Sequence, residues 1–270
     1  MSVPPPLADI ARHWLARGEP ALDVEIVAHR GSVPRETGTH LLVSATEVAG
    51  TIGGGHLELR AIADARARLQ AGATAATTDQ HIALGPSLGQ CCGGALTLRF
   101  QPLSAAGLAR WAAPVPRFVL QLHGAGHVGR AIVRQLAALP CRVQWIDERE
   151  AEFPAGPLPP HIEASCVEPA EAEVACAPPG AFYLVLTHSH ELDLRLTETI
   201  LRRGDFGFCG LIGSQTKRAR FLRRLEARGV PAASIARLTC PIGLPGIPGK
   251  EPEVLALAAV AQLFTAAHGP

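Results

Sequence analysis

The stretch Leu122–Val133, LHGAGHVGRAIV, decides how this chain is read. Its glycines at 124, 126 and 129 have the spacing Gly-x-Gly-x-x-Gly. The spacing means little without context. Here the apolar run RFVLQLHG precedes it. Val128, Ile132, Leu136 and Leu139 then form one stripe, which predicts a strand, a tight turn and a helix over 127–139. In that setting Gly124 permits the turn, Gly126 lets a phosphate approach the backbone, and Gly129 lets helix and strand pack closely. The first turn of the helix offers unpaired N–H groups to an anion. Asp147 ends the next strand, CRVQWID, where a ribose-binding acid belongs. One reading of the loop is a site for NAD(P) or another nucleotide. The other is a turn kept for packing alone.

Outward from this loop the same alternation continues. AFYLVLTH and FGFCGLIG are continuous apolar runs, as expected of strands buried on both faces of a parallel sheet. Ser214 suits a helix N-cap better than a nucleophile, and Pro252 suits the first position of the last helix. The basic run Thr216–Arg228 reads as the solvated face of a helix. Residues 117–270 are therefore expected to form a Rossmann-like, doubly wound α/β domain. The small-residue, Pro-rich segment 105–116 is expected to link it to a small N-terminal α+β domain over 1–104. In that first domain Leu22, Val24, Ile26 and Ala28 alternate with polar residues and predict a half-buried strand. THLLVS and ALTLRF predict two more. HLELRAIADARARL predicts a helix whose apolar side carries Leu59, Ile62 and Leu69.

Composition narrows the function classes. Twenty-five basic and 24 acidic residues leave a formal charge of +1, with 4% aromatics, which argues against nucleic acid as a partner. No apolar run reaches the roughly 18 residues that would span a bilayer. The N-terminus lacks a basic start followed by an apolar stretch, and the seven cysteines are odd in number, so a reducing cytoplasm is the expected location.

Four further stretches carry chemistry. In GTIGGGHLE, Gly53, Gly54 and Gly55 lead into His56, either as an anion-binding nest or as a flexible turn. In GQCCGG, Gln90, Cys91, Cys92, Gly93 and Gly94 form a loop that can present a thiolate to a thiophilic metal or a persulfide sulfur. The alternative there is one buried and one idle cysteine. Arg35, in GSVPRETGTH, can meet an anion or lie idle at the surface. In THSHELD, His188, His190 and Asp193 follow a strand end, where they can bind a metal, move a proton or bond the loop.

Taken in order, GSVPRETGTHLLV, GTIGGGHLE, LGPSLGQCCGG, GAGHVGRAIV, WIDERE, LTHSHELDL, GLIGSQTKRARF and CPIGLPGIPGKEPEVLALAAVAQL resemble the XdhC/CoxI family of xanthine dehydrogenase accessory proteins. The resemblance runs from about Gly31 to about Leu263. It implies a small N-terminal domain followed by a Rossmann-like domain, often in a homodimer. It also implies a non-enzymatic chaperone that binds the molybdenum cofactor, shields it and supports its sulfuration. Such a chaperone delivers the cofactor to apo-xanthine dehydrogenase or a related molybdenum hydroxylase, with a cysteine desulfurase as second partner. On this resemblance Arg35, the Gly53–His56 loop and the Gln90–Gly94 loop are expected to converge on molybdopterin. Cys91 and Cys92 would then contact molybdenum or relay sulfur. The rival expectation is an NAD(P)-dependent oxidoreductase built on the Rossmann-like half.

Overall fold

A computed structural model describes residues 6–72, 76–84, 93–111 and 115–268. The chain forms two compact units, Met1–Ala113 and Pro114–Pro270.

Unit 1 holds helix α1 (Leu7–Ala16), strands β1 (Ala21–Arg30), β2 (His40–Ser44) and β3 (Val48–Gly50), and helix α2 (Gly55–Gln70). Strands β4 (Thr78–Ala83) and β5 (Ala95–Pro102) and the short helix α3 (Ala105–Leu108) complete it. The strands form one antiparallel sheet in the order β3-β2-β1-β5-β4. Alternation puts Leu22, Val24, Ile26, Leu96, Leu98 and Phe100 on the face that α2 covers. Each such fully buried side chain contributes roughly 1.5–3 kcal/mol. Trp14, Ala11 and Leu42 pack on the opposite face, joined by Leu108 and Trp111 from the segment expected as linker.

Two expectations for this unit are corrected. Ala28 is exposed, because the β1–β5 register shifts between Ile26 and Ala28 and ends the alternation. Leu59 is 67% exposed, and the buried stripe of α2 is Leu57, Ala61 and Ala65, whose small side chains let the helix lie close to the sheet.

Unit 2 alternates strand and helix. It runs β6 (Val119–His123), α4 (His127–Leu136), β7 (Arg142–Asp147), β8 (Ile162–Cys166), α5 (Ala172–Cys176) and β9 (Phe182–Val185). It continues with α6 (His190–Arg203), β10 (Phe208–Leu211), α7 (Gln215–Ala227), α8 (Ala232–Ala236), β11 (Leu238–Thr239) and α9 (Pro252–His268). The six strands are parallel, in the order β11-β10-β9-β6-β7-β8. Helices α4 and α9 cover one face through Ile132, Leu136, Ala259 and Leu263. Helices α5 to α8 cover the other through Val174, Leu196, Phe221 and Ile235. This is the Rossmann-like, doubly wound arrangement that the alternation of apolar runs predicts. Helix α4 stops at Leu136, short of the expected 139, since Pro140 disfavours helical geometry in the residue before it. No helix among the described residues is long and apolar enough to cross a membrane.

The chain leaves β6 for β7 and β8 on one side, then returns for β9 on the other. A crevice opens at such a reversal, outside the carboxyl ends of the strands.

Candidate functional site

Three sequence motifs of unit 1 meet at glycines. A methyl group at Gly94 would lie 2.7 Å from the Arg30 carbonyl oxygen and closer still to that of Ser32. A methyl group at Gly53, whose φ is +118°, would lie 2.7 Å from Pro34 Cγ. Only glycine tolerates either approach. The Gly94 carbonyl also accepts the Leu84 N–H at 2.8 Å. Gly31–Arg35, Gly53–His56 and Gly93–Gly94 are thus neighbours in space. Arg35 stands exposed in this cluster and forms no ion pair among the described residues. His56 is exposed on the first turn of α2. Gln90, Cys91 and Cys92 lie outside the described residues; Gly93 is the next residue along the chain.

The Gly53–Gly55 loop already holds an anion of the protein's own. Glu58 Oε2 accepts the Ile52 N–H at 2.9 Å, the Gly54 N–H at 3.2 Å and the Thr51 hydroxyl at 2.6 Å. The Gly53 N–H donates to Thr51 Oγ1 at 3.1 Å. An outside anion would compete with Glu58 for these donors.

Sequence reasoning missed a second feature of unit 1. Asp23 is 2% exposed, although alternation puts it on the polar side of β1. Its carboxylate meets His40 Nδ1 at 2.9 Å and accepts from Gln101 Nε2 at 3.0 Å and Trp111 Nε1 at 3.1 Å. His40 stacks on Trp111 with centroids 4.2 Å apart. A cavity of about 270 Å³ beside them is lined by Glu25, His40, Arg99, Gln101, Arg110 and Trp111. No local spacing could have announced this network, since its partners lie 17, 78 and 88 residues from Asp23.

In unit 2, β6 runs through Gly124 into α4. A methyl group at Gly124 would lie 2.8 Å from the Leu186 carbonyl carbon, and one at Gly129 would lie 3.1 Å from the Gly124 carbonyl carbon. Both glycines are fixed by packing. A methyl group at Gly126 would meet nothing within 4 Å. Asp147 accepts the Ala125 N–H at 2.6 Å, the Arg149 N–H at 3.0 Å and the Arg149 guanidinium through Nε at 2.9 Å and Nη2 at 3.0 Å. Burial pushes its carboxyl up, but the Arg149 side chain and the two backbone donors outweigh burial and hold it below the ordinary carboxylate value. Beside this loop lies a crevice of about 330 Å³, whose lining includes Gly126, His127, Arg130, Arg149, Thr187 and His188.

The residues of THSHELD do not converge. His188 faces the crevice, and His190 Nδ1 lies 3.2 Å from Arg220 on α7. Asp193 is buried, with Lys217 Nζ at 2.6 Å, the Thr187 N–H at 2.9 Å and the Thr187 hydroxyl at 2.8 Å. Lys217 also donates to the Ile212 carbonyl at 2.9 Å, so one buried ion pair ties together the turns after β9 and β10. Among the described residues, no group of three His, Cys, Asp or Glu side chains is placed to hold a metal. Of the basic run, Lys217 is turned inward onto Asp193, and the arginines are partly or fully exposed: Arg224 and Arg228 pair with Glu191, and Arg228 also pairs with Glu198.

Of the described cysteines, Cys141, Cys209 and Cys240 are buried. Burial raises the Cys141 thiol to about 11 and the Cys209 thiol to about 12, so both are inert core groups at neutral pH. His123, just before the glycine loop, is buried with neither ring nitrogen hydrogen-bonded, and burial lowers its pKa to about 3.

Comparison with known proteins gives three results. The family model described as the XdhC Rossmann domain matches residues 120–263, and that of the XdhC and CoxI family matches residues 14–79. The second match contains Arg35 and Gly53–His56 but stops short of the paired cysteines. The uncharacterized protein YqeB of Escherichia coli strain K12 is 30% identical over 246 residues. That match covers 89% of this chain but 42% of YqeB, so the chain spans well under half of that relative's length. A crystal structure of a xanthine dehydrogenase from Bacillus halodurans aligns with a TM-score of 0.73 at 18% identity, over 97% of this chain and 95% of that one. At that identity the likeness is one of fold.

Proposed function

The chain belongs to the XdhC and CoxI family, and from that premise we propose an accessory role toward xanthine dehydrogenase-type enzymes, in which unit 1 holds the molybdenum cofactor and passes it to the apoenzyme. One observation carries this reading. Gly31–Arg35, Gly53–His56 and Gly93–Gly94 come from separate parts of the sequence, yet the first touches both of the others, Gly93–Gly94 through the backbone and Gly53 through the Pro34 ring. Glycines that admit no side chain at these contacts support a composite site assembled from all three motifs.

The donor set suits the cargo. Molybdopterin carries a phosphate and holds its metal through dithiolene sulfurs. Arg35, exposed and without an ion pair among the described residues, offers a guanidinium to the phosphate. The start of α2 adds the positive end of a helix dipole. Cys91 and Cys92 directly precede Gly93 in the sequence, and thiolates suit a thiophilic metal or a transferable sulfur. A cysteine desulfurase as sulfur donor and a homodimeric assembly complete the reading.

The test is expression with molybdopterin synthesis intact, anaerobic purification, and measurement of molybdenum and pterin per chain. Near-stoichiometric pterin is expected, falling several-fold in Arg35→Ala and in Cys91→Ala or Cys92→Ala. Purified protein with no pterin would overturn the carrier role. Full retention by both cysteine variants would remove the thiols from the site. Tightly held nicotinamide nucleotide with turnover would favour an oxidoreductase instead.

A further inference from the structure

We infer that the crevice of unit 2 binds a dinucleotide bearing a ribose 2′-phosphate, and that Arg149, not Asp147, reads the ribose end. Three observations lead there.

The first is the glycine that the protein does not need. Packing requires Gly124 and Gly129. Gly126 has φ −67°, which any residue adopts, and a side chain there would enter open space on the crevice wall. Neither backbone geometry nor any neighbour demands glycine. Close approach of a ligand phosphate to the backbone does.

The second is the state of Asp147. An ionised carboxylate offers about four lone-pair sites. Here four donors take them: the Ala125 N–H, the Arg149 N–H, and Nε and Nη2 of the Arg149 guanidinium. No acceptor is left for a ribose 2′-hydroxyl. The sequence places an acid at the ribose position, and the fold locks that acid under the loop.

The third is what stands in its place. The Arg149 side chain is about one-third exposed and lines the crevice beside Arg130. The two arginines share Glu152, at 3.2 Å from Arg149 Nη1 and 3.3 Å from Arg130 Nη2. Glu152 is itself partly exposed, and such a pair is weak enough for a phosphate dianion to displace it. An arginine at the ribose position selects for a 2′-phosphate as an acid selects for the hydroxyl. His127 and His188 add imidazoles to the same lining.

The experiment titrates the full chain with NADPH and with NADH, by fluorescence and by calorimetry, in the absence of pterin. NADPH is expected to bind at least tenfold more tightly than NADH. Arg149→Gln is expected to release Asp147 and to abolish or reverse that preference. Gly126→Ala is expected to weaken both nucleotides at least tenfold while the fold stays intact, since its methyl group meets no protein atom and only the modest cost of alanine at the N-cap of α4 is felt. Equal affinity for the two nucleotides, binding of neither, or Gly126→Ala binding like the parent would each overturn the inference. None of these outcomes bears on pterin retention in unit 1.

Discussion

The two glycine-rich turns look alike in sequence and differ in what their glycines do. Each leads into a helix, and each holds one of the protein's own carboxylates on its amides: Glu58 on Ile52 and Gly54, Asp147 on Ala125. In unit 1 the chain itself fills the space at Gly53 and Gly94, while Gly54 meets nothing within 4 Å but needs glycine for its φ of +73°. Pro34 presses on Gly53, and Arg30 and Ser32 press on Gly94. In unit 2 Gly124 and Gly129 are filled in the same way, but Gly126 is left open. Apart from positive φ, a run of glycines therefore has two physical causes that spacing cannot separate. One is close contact between strands of the same chain. The other is room kept beside a cavity.

The sharpest way to break this comparison is Gly94→Ala. The methyl group would collide with two carbonyl oxygens, and rigid backbone cannot yield as a flexible side chain can. A loss of about 3 kcal/mol is expected, at the upper end for overpacking. Urea unfolding followed by the fluorescence of Trp14 and Trp111, both in unit 1, reads it. Unchanged stability would mean that the Arg30–Ser32 segment and Gly94 do not touch, and the composite site would fall with that contact.

Next in size is Glu58→Ala. It removes the shared acceptor of two amides and a hydroxyl, at a cost of about 2 kcal/mol. It also frees those donors. Inorganic phosphate is expected to raise the melting temperature of the variant more than that of the parent. If the parent responds as strongly, Glu58 does not occupy the loop in solution.

How much of this was legible beforehand depends on the range of the interaction. Periodicity along a strand or helix is local, so β6, β7, β9, β10 and α4 could be read from LHGAGHVGRAIV, CRVQWID, AFYLVLTH and FGFCGLIG. The Ser214 cap was legible for the same reason: it accepts the Lys217 N–H three residues on. Burial of Asp23 was not, because only the fold brings Gln101 and Trp111 to it. The Leu59 error has a similar origin. Helical spacing shows that an apolar stripe exists, but neighbouring stripes compete, and the sheet selected the one with alanines at 61 and 65. At the ribose position the sequence revealed the acid and its place. It could not reveal that Arg149, two residues on, closes over that acid.

The smallest expected effect concerns one histidine in each unit. His40 in unit 1 shares its Nδ1 with Asp23, whereas His123 in unit 2 has no partner for either nitrogen. Charging His123 in the fold means placing an imidazolium among apolar neighbours with nothing to solvate it, which is why its pKa falls to about 3. In the unfolded chain the same ring titrates near 6.5. Above that value both states are neutral and His123 adds no pH dependence. As the pH falls below it the unfolded state takes up the proton first, so stability drops steadily toward pH 3. One pH unit below 6.5, at pH 5.5, the loss is about 1.4 kcal/mol. His123→Leu should remove that share of the acid sensitivity and leave the rest, measured as the difference in unfolding free energy between pH 7.5 and pH 5.5, with Trp145 reporting on unit 2. If the variant and the parent lose stability equally, a buried water must be satisfying His123. The crevice end of β6 would then be wetter than its packing implies.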